Sequence, residues 1–199
     1  SSLTLVTFVI DTTAPTAAIT YNSVSPYKNG DTVTITATFN GPVADSPVPT
    51  IAIAGSGIAN VTSTNMTKTS TTVYTYSYAV PTGDGTGTVT VGTGQDAQGN
   101  TVNSTPSSGA TFTVDNTAPT ISAVTQVVTP SNDTTPSYVF TTNETGTVTT
   151  NIGAGIDSGG TVTSTGENTV TFNTLAPGTY ADKTITLTDA AGNTSSLTL

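Results

Sequence analysis

Apolar and polar residues alternate one by one along much of this chain. Within residues 31–39, Val33, Ile35, Ala37 and Phe39 occupy one set of positions, and Thr32, Thr34, Thr36 and Thr38 the other. Successive side chains of a strand point to opposite faces, so the pattern predicts a strand with one buried face. The same period predicts strands over 50–54, 71–80, 87–91 and 110–114, and then over 121–128, 137–141, 145–150, 168–172 and 183–188. Turn-forming runs separate them, among them Lys28-Asn29-Gly30-Asp31, Gly83-Asp84-Gly85, Asn143-Glu144-Thr145-Gly146 and Ala176-Pro177-Gly178. No segment carries a helical period. Short strands with a turn every ~8–12 residues predict an all-β protein built of sandwiches.

Two motifs each occur twice and set the expected boundaries. Asp11-Thr12-Thr13-Ala14-Pro15 returns as Asp115-Asn116-Thr117-Ala118-Pro119, and Asp96-Ala97-Gln98-Gly99-Asn100 returns as Asp189-Ala190-Ala191-Gly192-Asn193. Each unit therefore opens on the first motif and carries the second near its end, which predicts domains over 11–114 and 115–199, placed end to end. A further identity links the two ends, because Ser195-Ser196-Leu197-Thr198-Leu199 repeats Ser1-Ser2-Leu3-Thr4-Leu5. On this pattern residues 1–10 are expected to be the closing strand of a preceding domain. The last strand of the second domain is expected to be incomplete, lacking the Val6-Thr7-Phe8-Val9-Ile10 sequence found at the front of the chain. The expected partners are neighbouring copies of the same repeat, joined head to tail through residues 1–10 and the open end of the second domain.

Composition narrows the chemistry. The 199 residues include 51 Thr, a β-branched residue that suits a half-exposed pleated surface. Lys and Arg number 3 against 12 Asp and Glu, for a net charge of -9, which argues against a nucleic-acid partner. Only 8% of residues are charged and 34% are hydrophobic, which argues against a disordered acidic tail. With no His and no Cys there is no imidazole base, thiolate nucleophile, soft metal site or disulfide, and no activity as an enzyme is expected. No run approaches the roughly 20 apolar residues of a membrane helix, so no membrane insertion is expected. Low charge with abundant Thr, Ser, Gly and Asn fits a secreted or cell-surface protein, and any signal peptide is expected to lie outside the sequence, which begins at Ser1.

The Asp-x-Thr-Ala-Pro opening, Gly30-Asp31-Thr32-Val33-Thr34-Ile35 before Phe39, the Asn143-Glu144 turn and the Asp-Ala-x-Gly-Asn motif occur here in a characteristic order. In this the chain resembles the tandem bacterial immunoglobulin-like domains of large surface adhesins and repetitive exoproteins. Leu175-Ala176-Pro177-Gly178-Thr179-Tyr180 also resembles the tyrosine corner of such sandwiches, and the first unit has no Tyr at that place. Sandwich topology joins strands B and C, and F and G, at the pole where the chain enters strand A. Asp115, Glu144 and Asp189 are thereby expected to meet at one end of the second domain, where three anions repel one another unless a proton or a cation intervenes. Oxygen donors of this kind, completed by Asn116, Asn193 or backbone carbonyls, suit Ca²⁺. The resemblance likewise implies calcium at the domain junction, stiffening the linker. A weaker site is expected in the first domain from Asp11, Asp31 and Asp96, with Asp45 as a substitute, because Glu144 has no counterpart in Phe39-Asn40-Gly41-Pro42. Turn capping by the same Asp side chains, without a metal, is the plainer alternative.

The expected function is a structural repeat of an extracellular adhesin stalk or fibre. The alternatives are a glycan- or protein-binding module and a noncatalytic accessory module of a secreted polysaccharide-degrading enzyme. Tyr74, Tyr76 and Tyr78 share one strand face and are expected in the core rather than in a sugar-stacking strip. No spacing supports a glycosidase pair such as Asp157 and Glu167, nor an EF-hand loop.

Overall fold

A computed structural model describes residues 8–199, and the chain divides into two compact units between Val114 and Asp115. All regular structure among the described residues is β: sixteen strands in four antiparallel sheets, two sheets to a unit. The fold is that of two immunoglobulin-like sandwiches.

Unit one contains β1 (Ala17–Tyr21), β2 (Thr32–Phe39), β3 (Thr50–Ala54), β4 (Val61–Asn65), β5 (Thr67–Lys68), β6 (Val73–Ala79), β7 (Gly85–Gly92) and β8 (Thr111–Val114). They form sheets in the order β1-β2-β6-β5 and β4-β3-β7-β8, the A-B-E-D and C′-C-F-G arrangement of the immunoglobulin fold. The alternation in β2 is the reason for its place at the sheet centre. Val33, Ile35, Ala37 and Phe39 are all at least 97% buried, and the intervening Thr residues face outward. Opposite them in register stand Tyr78, Tyr76 and Tyr74 of β6. Tyr74 and Tyr78 are buried and Tyr76 is half-buried against the same core, so these rings form part of the interior. Ile51, Ile53, Val89, Val91 and Phe112 fill the layer from the facing sheet. Burial of each such large side chain contributes about 1.5–3 kcal/mol.

Unit two contains β9 (Ile121–Thr125), β10 (Ser137–Thr142), β11 (Gly146–Thr150), β12 (Ile156–Ser158), β13 (Thr161–Val162), β14 (Glu167–Phe172), β15 (Thr184–Thr188) and β16 (Thr194–Thr198). Its sheets run β12-β14-β10-β9 and β13-β11-β15-β16, around a core of Tyr138, Phe140, Val170, Phe172, Ile185 and Leu187. The two units differ in the passage from strand C to strand E. In unit one the chain pairs first beside β3 and then beside β6. In unit two it goes first to the far sheet, where β12 meets β14, and then returns to place β13 beside β11.

Two strands stop short of their expected length for local reasons. β9 ends at Thr125 rather than at 128, where its ladder with β10 slips register between Phe140 and Val139 and Thr125 opposite Val139 is the last paired residue. β6 begins at Val73 rather than at 71, since the Ser70 hydroxyl takes the N–H groups of Thr72 and Val73 and closes a turn there. The corner of unit two closes through Tyr180, whose hydroxyl donates to the Ala176 carbonyl at 2.8 Å. Unit one closes its own by apposing backbone. Gly57 has φ +77° and lies so near the Asp84 carbonyl that a Cβ would collide with it, and Gly83 lies equally near the Gly57 carbonyl.

Most of the expected closing strand, residues 1–7, lies outside the described residues. Phe8, Val9 and Ile10 belong to no strand and are 79%, 87% and 76% exposed. β16 pairs with β15 along all five residues of β15, and the Leu199 N–H adds a bond to the Lys183 carbonyl at 2.8 Å.

Candidate metal centre

The opening motif of unit two is folded by its own first side chain. Asp115 Oδ1 accepts the Thr117 N–H at 3.0 Å, an Asx turn that points the chain into β9. One residue before β9, the Thr120 N–H donates to Asn143 Oδ1 at 2.7 Å and fastens the opening segment to the β10–β11 turn. That turn is set by the buried Thr142 hydroxyl, which accepts the Glu144 N–H and donates to the Glu144 carbonyl, both at 3.2 Å. Asp189 follows β15 and is 91% buried. Its two oxygens take the Asn193 N–H at 2.8 Å and the Asn193 side-chain amide at 2.9 Å. The same amide nitrogen donates to the Asp115 carbonyl at 3.0 Å.

These restraints bring Asp115, Glu144 and Asp189 together, with one carboxylate oxygen from each lying within 4.8 Å of the other two. Calcium takes oxygen ligands at about 2.3–2.6 Å, so oxygens on opposite sides of one ion stand roughly 4.6–5.2 Å apart. Three oxygens within 4.8 Å of one another can therefore share such an ion without spreading. The donors are all hard oxygens, which fits Ca²⁺ and not a thiolate- or imidazole-seeking metal. Asn116 lies beside Asp115 in the same segment. Asn193 acts as a bracket: its Nδ2 is spent on Asp189 and Asp115, which leaves Oδ1 as the atom it can offer a cation.

Unit one repeats the scaffold almost bond for bond. Asp11 Oδ1 accepts the Thr13 N–H at 2.9 Å, and the Thr16 N–H donates to Asn40 Oδ1 at 2.9 Å. Asp96 accepts the Asn100 N–H and side-chain amide, both at 2.8 Å, and that amide also reaches the Asp11 carbonyl at 3.1 Å. The Asn100 amide, helped by the N–H groups of Asn100, Gln98 and Gly99, holds the Asp96 carboxyl below the usual carboxylate range. What unit one lacks is the third carboxylate: Asn40 corresponds to Asn143, and Gly41 stands where Glu144 stands. Asp11, Asn40, Gly41 and Asp96 line one shallow groove.

Asp31 does not join Asp11 and Asp96. It precedes β2 whereas Asn40 follows it, and the steps between them at about 3.3 Å each put the two roughly 30 Å apart. The Asp31 carboxylate instead accepts the Lys28 N–H in its own turn. Asp45 is paired with the Lys68 ammonium. Among the described residues, Asp115, Glu144 and Asp189 form the one three-carboxylate group. Sequence reasoning missed the bracketing role of the two Asn side chains and the fastening role of Asn40 and Asn143. The available signal was that both pairs recur in both units. Compared with known proteins, the chain matches no family model and no curated protein.

Proposed function

We propose that this chain is a structural repeat of an extracellular stalk or fibre, of the tandem bacterial immunoglobulin-like kind, with Ca²⁺ held by Asp115, Glu144 and Asp189. The observation that carries the reading is the placement of that triad. One ligand is the first residue of unit two, and the other two belong to turns of the sandwich body. A cation shared by all three fixes the direction in which the chain enters the unit, as a spacer requires. The burial of Tyr74 and Tyr78 supports a spacer over a sugar-stacking module, since it removes those rings from any binding platform.

Calorimetric titration with Ca²⁺ tests this. One ion is expected per chain, with affinity lowered at least ~10-fold in Glu144→Gln, which keeps the size of the side chain and removes its charge. A wild-type chain that takes up no Ca²⁺, and melts at the same temperature in chelator and in Ca²⁺, overturns the proposal.

A further inference from the structure

The chain has two Asn-Gly pairs, Asn29-Gly30 before β2 and Asn40-Gly41 after it. Asn40 is exposed and lines the groove of unit one together with Asp11, Gly41 and Asp96. It is held from two sides by one residue: its N–H donates to the Thr16 carbonyl at 3.0 Å, and its Oδ1 accepts the Thr16 N–H at 2.9 Å. A donor aimed at a carbonyl oxygen stabilises the charge that gathers there when the carbon is attacked. The nitrogen next along the backbone is that of Gly41, whose N–H makes no hydrogen bond among the described residues. Gly41 has no Cβ, and apart from the two adjoining residues no atom lies within 4 Å of where one would stand, so its nitrogen is open to approach. Unit two holds the same amide and protects it. Asn143 Oδ1 accepts the Thr120 N–H at 2.7 Å, but the next N–H, that of Glu144, is taken by the Thr142 hydroxyl at 3.2 Å. The Asn143 amide itself donates to Glu144 Oε1 at 3.4 Å.

We infer that Asn40 is a site of self-modification: with water as the one co-reactant, it deamidates through a cyclic imide and gives unit one a third carboxylate. The Gly41 nitrogen, losing its proton, bonds to Asn40 Cγ. The bond from Cγ to Nδ2 breaks, and Nδ2 leaves with that proton as ammonia, closing a five-membered imide. Water then adds to one of the two imide carbonyls, the carbon–nitrogen bond there breaks, the nitrogen regains a proton and a carboxyl group is left. Opening at Cγ gives an aspartyl residue, and opening at the backbone carbonyl gives its isoaspartyl isomer. Either product carries an ionised carboxyl in place of the amide and adds one negative charge to a groove that already holds Asp11 and Asp96. The Thr16 N–H remains as a donor to that carboxylate, now in a charge-assisted bond. The chemistry at Asn40 is independent of the calcium reading, and only the cation response of its product rests on that reading.

Incubation of the folded full chain at mildly alkaline pH tests it, followed by intact mass and by fragmentation of the tryptic peptide from Asn29 to Lys68. The mass gain of an amide-to-acid exchange is expected to accumulate at Asn40, with part of it labelled by an isoaspartyl methyltransferase, while Asn143 gains none over the same period. Gly41→Ala leaves the Asn40 side chain in place and is expected to slow the gain roughly tenfold or more, equivalent to about 1.4 kcal/mol in the barrier. Asn40→Gln is expected to abolish it, because the longer side chain does not close a five-membered ring. A folded chain in which Asn40 stays intact while the urea-unfolded chain converts it overturns the inference, and so does an unchanged rate in Gly41→Ala. Titration of Asn40→Asp with Ca²⁺ reads the consequence, with one more ion expected per chain than in the parent. If the parent binds one ion and Asn40→Asp no more, the new carboxylate does not complete the groove and that part is overturned. If the parent binds none while Asn40 still converts, the calcium-stiffened spacer falls and the modification stands.

Discussion

Unit one offers a direct test of what the third carboxylate does, because it holds the whole scaffold of the triad except Glu144. Substituting Gly41→Glu supplies the missing group. The backbone permits it: apart from the two adjoining residues, no atom lies within 4 Å of a Cβ built at Gly41. If the new carboxylate reaches Asp11 and Asp96 at the 4.8 Å spacing seen in unit two, each pair repels by about 0.9 kcal/mol in a water-like dielectric. Two pairs cost ~1.7 kcal/mol, and at roughly 4 °C per kcal/mol the metal-free unit one melts ~7 °C below the parent. Calcium at a hundredfold over its Kd returns about 2.7 kcal/mol, or ~11 °C, and leaves the variant ~4 °C above the parent. The sign of the substitution therefore reverses between chelator and Ca²⁺, while the parent unit one shows no such response. Differential scanning calorimetry reads both midpoints, and added salt shrinks the metal-free penalty by screening. A variant destabilised by the same amount in chelator and in Ca²⁺ refutes the argument that a third carboxylate is what turns this scaffold into a metal centre.

Two further predictions concern tyrosines, one buried and one partly buried. Tyr138 is fully buried and its hydroxyl has no hydrogen-bond partner among the described residues, so Tyr138→Phe is expected to be neutral or to stabilise unit two by up to ~1 kcal/mol in urea unfolding. A loss of more than ~1 kcal/mol would show that the hydroxyl has a partner after all. Burial, with a smaller contribution from Tyr27, pushes the Tyr21 hydroxyl up to about 12. The folded form favours the neutral phenol, so its stabilising contribution is complete below pH ~10 and is lost as pH rises through 12. Urea midpoints of unit one should fall across that window, and fall less in Tyr21→Phe; an equal fall in both proteins would remove the assignment.

The central strands were legible because their alternation is the imprint of a sandwich interior: β2 buries every second residue and shows it as Thr against Val, Ile, Ala and Phe. Among the edge strands β8 and β9 were legible as well, but the short or polar ones were not. β4 (Val61–Asn65) is exposed at four of its five positions, so it has no apolar face to betray it, and it exists through backbone pairing with β3. β5, β12 and β13 span two or three residues each, too few for any period to register. At the candidate metal centre, the doubled motifs and the sandwich topology were enough to bring Asp115, Glu144 and Asp189 to one place. Asp31 was misplaced because a carboxylate in a turn reveals its residue type but not its end of the strand, which the eight residues of β2 decide. The donor role of Asn193 was equally hidden, since a side-chain amide offers both hydrogens and an oxygen, and only geometry chooses between them.

The Asn193 bracket has a consequence under tension. It ties the first residue of unit two to the last hairpin of the same unit, across 78 positions of sequence. Pulling on the chain ahead of Asp115 loads that contact before β9 can be peeled from its sheet. A cation held by Asp115, Glu144 and Asp189 sits in parallel with the bracket, so bracket and ion must yield together rather than in turn. Unit one, with Asn100 holding Asp11 in the same manner but only two of the three carboxylates, has the hydrogen-bonded part of this lock alone. Were the proposed Ca²⁺ bound in unit two, a pair of such units would carry two grades of mechanical resistance, one held by hydrogen bonds alone and the other raised further by the ion.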